Sequence, residues 1–228
     1  MALDKIDVSQ AAPIRRYLIV AASCLVLFAC AINMHHVLGL FVYLPQLDQL
    51  FDLLHKDPIL IAALREQNTA LADKSEEWTK IEDQTWTAER LSGEGSLQSS
   101  YIEKPSSQRL LKLVEGSNGL ISHALLIDSR GRVAAEPYPS YNFLQLDKPK
   151  FHYTFPLGAG ARDISWLQLA HDGSHIVCWR AETMVDPISN KPIGALALEV
   201  NYLKVGYFGC REQPIHTARE RETNRVKF

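Results

Sequence analysis

The sequence predicts an α+β fold: a long apolar helix, further helices, then a five-stranded antiparallel sheet with helices packed on it. Three observations predict it. Residues 17–47 contain no Asp, Glu, Lys or Arg. Apolar residues then recur at three- and four-residue intervals from Leu47 to Leu71, the period of a helix with one buried face. From Leu120 the period shortens to that of strands, and the apolar runs are separated by turns rich in Asp, Gly, Pro and Asn.

The apolar run exceeds the roughly 20 residues that a helix needs to cross a bilayer. Arg15 and Arg16 precede it, and Asp48 and Asp52 follow it. Basic residues stay on the cytoplasmic side, so the N-terminus is expected in the cytosol and the rest is expected to be exported. Two processed forms compete with this reading. Ala29-Cys30-Ala31 has the small residues of a cleavage site, and Leu27-Phe28-Ala29-Cys30 resembles a lipobox with Phe at its second position. Apolar character continues past Cys30 through Val37, Leu40, Phe41 and Val42, longer than the core of a cleaved leader, so an uncleaved signal anchor is expected. Arg15-Arg16 is read as an orienting pair rather than a twin-arginine export signal. Asn33, His35 and His36 are read as lying near the outer interface or at a helix–helix contact.

These features divide the chain into a cytoplasmic head (1–16), a transmembrane signal anchor (17–44), a juxtamembrane helical region (45–103), an α+β domain (104–206) and a polar tail (207–228). About 180 residues follow the apolar run, enough for one domain with a real core. The formal net charge is −2 with no basic run, which leaves nucleic-acid binding without an electrostatic footprint. Of the four cysteines, Cys24 and Cys30 fall in the anchor. Cys178 and Cys210 remain, but the strand reading puts Cys178 opposite residues near Val200, ten short of Cys210. No bridge is therefore expected, and no CxxC or zinc spacing is present.

Pro45 closes the apolar run, and Asp57-Pro58 supplies a cap and first residue for the next helix. Helix continues past Trp78, Ile81 and Trp86 to Leu91, where Ser92-Gly93-Glu94-Gly95-Ser96 breaks it. A second helix fits residues 106–114, with Leu110, Leu111 and Val114 on one side and Gly116 beyond its end. Strands follow at 121–127 and from 133, joined through Asp128-Ser129-Arg130-Gly131. A loop rich in Pro and Tyr spans 136–143, and residues 147–153 can make a short helix. The third strand is 164–169, Asp172-Gly173 signals a hairpin, and the last strands are 175–185 and 193–200.

Three segments resemble the extracytoplasmic Cache family, the PAS-like (PDC) sensor domains of bacterial receptors. Leu125-Leu126-Ile127-Asp128-Ser129-Arg130-Gly131-Arg132-Val133 is similar to the family's apolar strand, Asp, Gly turn and second strand. Leu146-Asp147-Lys148-Pro149-Lys150-Phe151-His152-Tyr153 matches a stretch where the family has an Asp, a basic residue and an aromatic pair. The third segment runs from Val185-Asp186-Pro187 through Ile193-Gly194 into the last strand, ending at Val200. The resemblance covers residues 104–204 and implies a domain that binds a small molecule. Members usually return through a second transmembrane helix to an output domain. No second apolar run is seen here, so output is expected through a membrane partner or a homodimer. The alternatives are a ligand-free PAS-like interaction module, or the input fragment of a longer receptor.

Tyr138, Tyr141, Lys150, Tyr153 and Trp166 come from segments that form the pocket wall and lid in that family, and aromatic rings with a polar edge suit small-molecule sites. In the fourth strand, Ile176, Cys178, Arg180, Glu182 and Met184 share one face. If that face turns to the pocket, Arg180 could clamp a carboxylate; otherwise it pairs with Glu182 or across the sheet. His171 and His175 flank the Asp172-Gly173 turn without a third ligand, so no metal is expected. No nucleophile elbow, zinc-protease or nucleotide-loop motif occurs. The expectation is a non-enzymatic sensor without a cofactor, held at a bacterial inner membrane with its main domain in the periplasm.

Overall fold

The computed structural model describes residues 11–170, 173–206 and 209–211. Helix α1 (Ala11–Leu38) passes through a π-helical turn (Gly39–Tyr43) into α2 (Leu44–Leu54). Pro45 does not end the helical path, because at the first turn of α2 its missing N–H costs no hydrogen bond. Among the described residues no helix is long and apolar enough to cross a membrane. The side chains of Asn33, His35 and His36 lie outside the described set, while Leu25, Phe28 and Phe41 are each about 70% exposed.

Helix α3 (Pro58–Ala70) starts where expected, with Asp57 accepting from the Ile59 and Leu60 amides at 2.9 and 3.4 Å. The same carboxylate accepts from Arg109 Nε at 2.7 Å, so one cap also ties α3 to α6 (Pro105–Gly116). Between them lie α4 (Glu76–Ser92) and α5 (Ser96–Ile102). The sheet follows: β1 (Ile121–Asp128), β2 (Val133–Ala135), β3 (Arg162–Ile164), β4 (Gln168–Leu169), β5 (Ile176–Val185) and β6 (Pro192–Asn201), with short helices α7 (Pro149–His152) and α8 (Tyr202–Val205). Strand order is β2-β1-β6-β5-β3, with β4 also on β5, and every pairing is antiparallel.

Six strands replace the expected five because the third is broken at Ser165–Trp166–Leu167. Ser165 still donates to the Trp179 carbonyl of β5 at 2.8 Å, but the segment also bonds to Arg211, whose amide donates to the Ser165 carbonyl and whose carbonyl accepts from Leu167, both at 3.2 Å. This C-terminal strap also corrects the cysteine reading. Cys178 does pair with Val200, but α8 and Gly206 turn the chain back, and Cys210 forms a disulfide with Cys178. The expected polar tail therefore begins inside the fold, with Cys210 buried. His171, Asp172 and residues 212–228 lie outside the described residues.

Two cores flank the sheet. On one face Leu126, Leu196, Leu198 and Met184 pack against Leu47, Phe51, Leu60, Leu64 and Leu110 of α2, α3 and α6. On the other, Leu125, Ile127, Ala195 and Ala197 meet Trp86, Tyr101, Phe143 and Phe151. The β1–β2 turn is held by a fully buried ion pair. Asp128 accepts from Arg132 Nε at 2.7 Å and from the Arg130 and Arg132 amides at 2.9 Å. Gly131 sits in that turn at φ 77°, and a Cβ there would stand 2.9 Å from the Leu146 backbone.

Candidate functional site

Across the middle of the second face runs a row of three polar or aromatic side chains. Trp179 on β5 pairs with Glu199 on β6, and Glu199 pairs with His123 on β1. A bulge between Ile121 and His123 makes this row. Regular alternation would put both on one face, and the extra residue turns His123 to the other. Over the row lie residues 140–150, and along its side the broken strand at Ser165–Leu169. Together they enclose a cleft of about 490 Å³, within the usual range for small-molecule sites.

Lys150 projects from α7 into this cleft with its ammonium 3.8 Å from the centre of the Trp179 ring. Among the described residues it has no hydrogen-bond acceptor and no carboxylate within ion-pair distance. Burial pulls its pKa down to about 8, against the opposing pull of Glu136 and Glu199. Glu136, fully buried behind the row, is pushed up to about 8 by burial, opposed by Ser140, which donates to its Oε1 from the amide at 3.0 Å and from the hydroxyl at 3.3 Å. Its Oε2 has no hydrogen-bond partner among the described residues and stands 3.9 Å from His123 Nε2. Both ring nitrogens of His123 face carbonyl oxygens at 3.1 Å, those of Ala124 and Tyr138. A neutral imidazole donates to only one of these, while the protonated ring satisfies both. Glu199 accepts from Ser122 Oγ at 2.7 Å. The cleft thus combines a cation without a counter-ion at ion-pair distance among the described residues, a carboxylate, an imidazole and aromatic walls.

Of the residues that the sequence put forward, Tyr141, Lys150 and Trp166 line the cleft. Tyr138 stands behind it, its ring edge-on to that of His123 at 6.2 Å. Tyr153 is half exposed beside His152 and does not line it. Arg180 lies on the helix-covered face of the sheet, where it pairs with Asp48 of α2 at 3.3 Å, and burial lowers its pKa. It is placed neither to clamp a ligand in this cleft nor in a pair with Glu182, which binds Arg162 at 3.2 Å. His123, Trp179, Glu199 and Glu136 escaped the sequence reading. Strand parity already separated Trp179 from Arg180, which is the one signal that pointed to it. Among the described residues no cluster of His, Cys, Asp or Glu could hold a metal.

No family model matches the chain, and no curated protein does. Solved structures similar to it are sensor domains of receptors, the kind that the three sequence segments resemble. The sensor domain of the V. cholerae histidine kinase DctB matches with a TM-score of 0.37 and 15% identity, over 69% of this chain and 59% of that one. The ligand-binding domain of the Campylobacter jejuni chemoreceptor Tlp3 in complex with L-valine matches at 0.36 and 14%, over 69% and 64%. The sensory domain of the same receptor with isoleucine bound matches at 0.34 and 13%, over 69% and 63%. The chain thus spans less than two thirds of these structures, and scores of this size carry no argument about ligand or output.

Proposed function

We propose that this protein is a membrane-anchored extracytoplasmic sensor domain that takes a small anionic molecule into the cleft above Trp179, Glu199 and His123. The observation that carries the reading is Lys150: a cation facing the cleft with three N–H donors and, among the described residues, no acceptor. A ligand carboxylate supplies both the acceptor and the missing charge, and aromatic walls from Tyr141, Trp166 and Trp179 hold the rest.

Anchoring at a bacterial inner membrane with the domain in the periplasm is supported by Arg15-Arg16 before the apolar run and by the exposed apolar side chains of α1. The Cys178–Cys210 disulfide suits an oxidising compartment. Ligand binding would bias the domain between two arrangements, with output through a membrane partner or a second copy.

A thermal-shift screen of the detergent-solubilised full chain against amino acids, organic acids and amines tests this. Stabilisation by a carboxylate that disappears in Lys150→Met is the expected result. Silence across the whole screen would leave the sensor reading without support, in favour of a ligand-free interaction module.

A further inference from the structure

A second cavity, of about 560 Å³, opens between α3, the α5–α6 junction and β2. It shares no lining residue with the cleft. One side is apolar, formed by Ile59, Ala62, Leu71 and Pro105; the other carries Lys104 and Ser106.

Lys104 is half-buried, and its hydrogen-bond partners are neutral: the Gln67 side-chain carbonyl at 3.2 Å and the Ala134 carbonyl at 3.5 Å. Its ammonium also lies 3.3 Å from the centre of the Tyr101 ring. These contacts orient the charge without cancelling it. Two carboxylates act on it from a distance. Asp128 is already bound to Arg132 at 2.7 Å, and Glu66 is exposed at the cavity's edge. Burial pulls the Lys104 pKa down to about 8 in spite of both, as expected for a cation without a counter-ion. Ser106 is an independent pointer. Only 2% of it is exposed, and it lines the cavity beside Lys104.

We propose that this cavity is a second binding site, for a small monocarboxylate with an apolar tail, its carboxylate at Lys104 and Ser106 and its tail against Ile59, Ala62 and Leu71. Glu66 sets the preference for one charge, because a second carboxylate toward the mouth would meet it. The site is independent of the cleft reading and stands if that reading fails.

The test uses the full chain in lipid nanodiscs, titrated by calorimetry with 4-phenylbutyrate, with 4-phenylbutylamine and empty nanodiscs as controls. Saturable binding of the acid alone is expected. Lys104→Met should weaken it at least tenfold, and Ala62→Trp, which keeps the lysine and fills the cavity, should abolish it. Both variants are also compared in a Lys150→Met background, which removes the cation of the cleft so that any probe held there is subtracted. No saturable binding, equal heat from empty nanodiscs, or binding that survives Lys104→Met or Ala62→Trp overturns the proposal. Loss of binding in Lys150→Met overturns it too, by placing the probe in the cleft.

Discussion

The Lys150 ammonium lies over the face of Trp179, 3.8 Å from the ring centre, and this contact is its sole partner among the described residues. A half-buried cation whose nearest contact is a ring, with Glu136 and Glu199 acting on it only from a distance, favours the unfolded chain, where water solvates it. With a folded pKa near 8 against an ordinary 10.5, the folded protein binds fewer protons between those values. Stability therefore rises with pH from about 8 to about 10.5, and the full penalty is present below 8. Lys104 adds a rise in the same window. Lys150→Met is expected to raise the ligand-free melting temperature at pH 7 by a few degrees, on the order of 1 kcal/mol, and to flatten part of that rise. Melting curves from pH 7 to 10.5 check it.

Glu136 works in the opposite sense and in another window. Its folded pKa near 8 lies above the ordinary 4.5, so the folded protein holds a proton that the unfolded chain has released. Stability falls as pH rises from about 4.5 to about 8 and levels off above. Glu136→Gln keeps an Oε1 acceptor for Ser140 and carries no titrating proton. Its stability should therefore be flatter across that range, with a gain at pH 7.5; a slope equal to that of the unaltered protein would show that the carboxyl titrates normally.

Removing the bridge between Cys178 and Cys210, which are separated by 32 positions, should cost about 3–4 kcal/mol. In Cys210→Ser the strap keeps its two backbone bonds to Ser165 and Leu167, a 3.9 Å contact from Arg211 to Asp163 and the 3.4 Å approach of Cys178 Sγ to the Gly209 carbonyl. Calorimetry with and without a reducing agent measures the loss, which should be absent in the variant.

Asp128→Ala leaves Arg132 fully buried with its charge uncompensated and removes the acceptor of two turn amides. A loss of about 3–5 kcal/mol is expected, as for one partner taken from a buried pair. Urea unfolding measures it, and the double change Asp128→Ala with Arg132→Met should cost less than the single one.

The sequence showed its helix caps and turns plainly, because those depend on local chemistry. Asp57-Pro58, the Ser92–Ser96 break and the Asp128–Gly131 turn all stand where residue type puts them. Strand parity likewise separated Arg180 from Trp179. What parity does not reveal is which face carries the cleft, and the bulge before His123 resets the count within a single strand. The disulfide was hidden for a similar reason. Counting along paired strands stops at Val200, and the reversal through α8 and Gly206 is a tertiary event. The break at Trp166 shares that origin, since its cause is the backbone of Arg211, 45 positions later in the chain.

Gly39→Ala tests the contact between the π-helical turn and α8. A Cβ at this position would stand 2.5 Å from the Val205 carbonyl oxygen. The usual helical gain from Gly to Ala, about 1 kcal/mol, should be outweighed by overpacking of about 1–3 kcal/mol. A stability equal to or above that of the unaltered protein would show that the two segments separate freely.

That contact leaves no slack. Two backbones touch at Gly39 and Val205 with no side chain between them, so no rotamer change can absorb a small movement there. A residue larger than glycine at position 39 would therefore have to move backbone rather than turn a side chain.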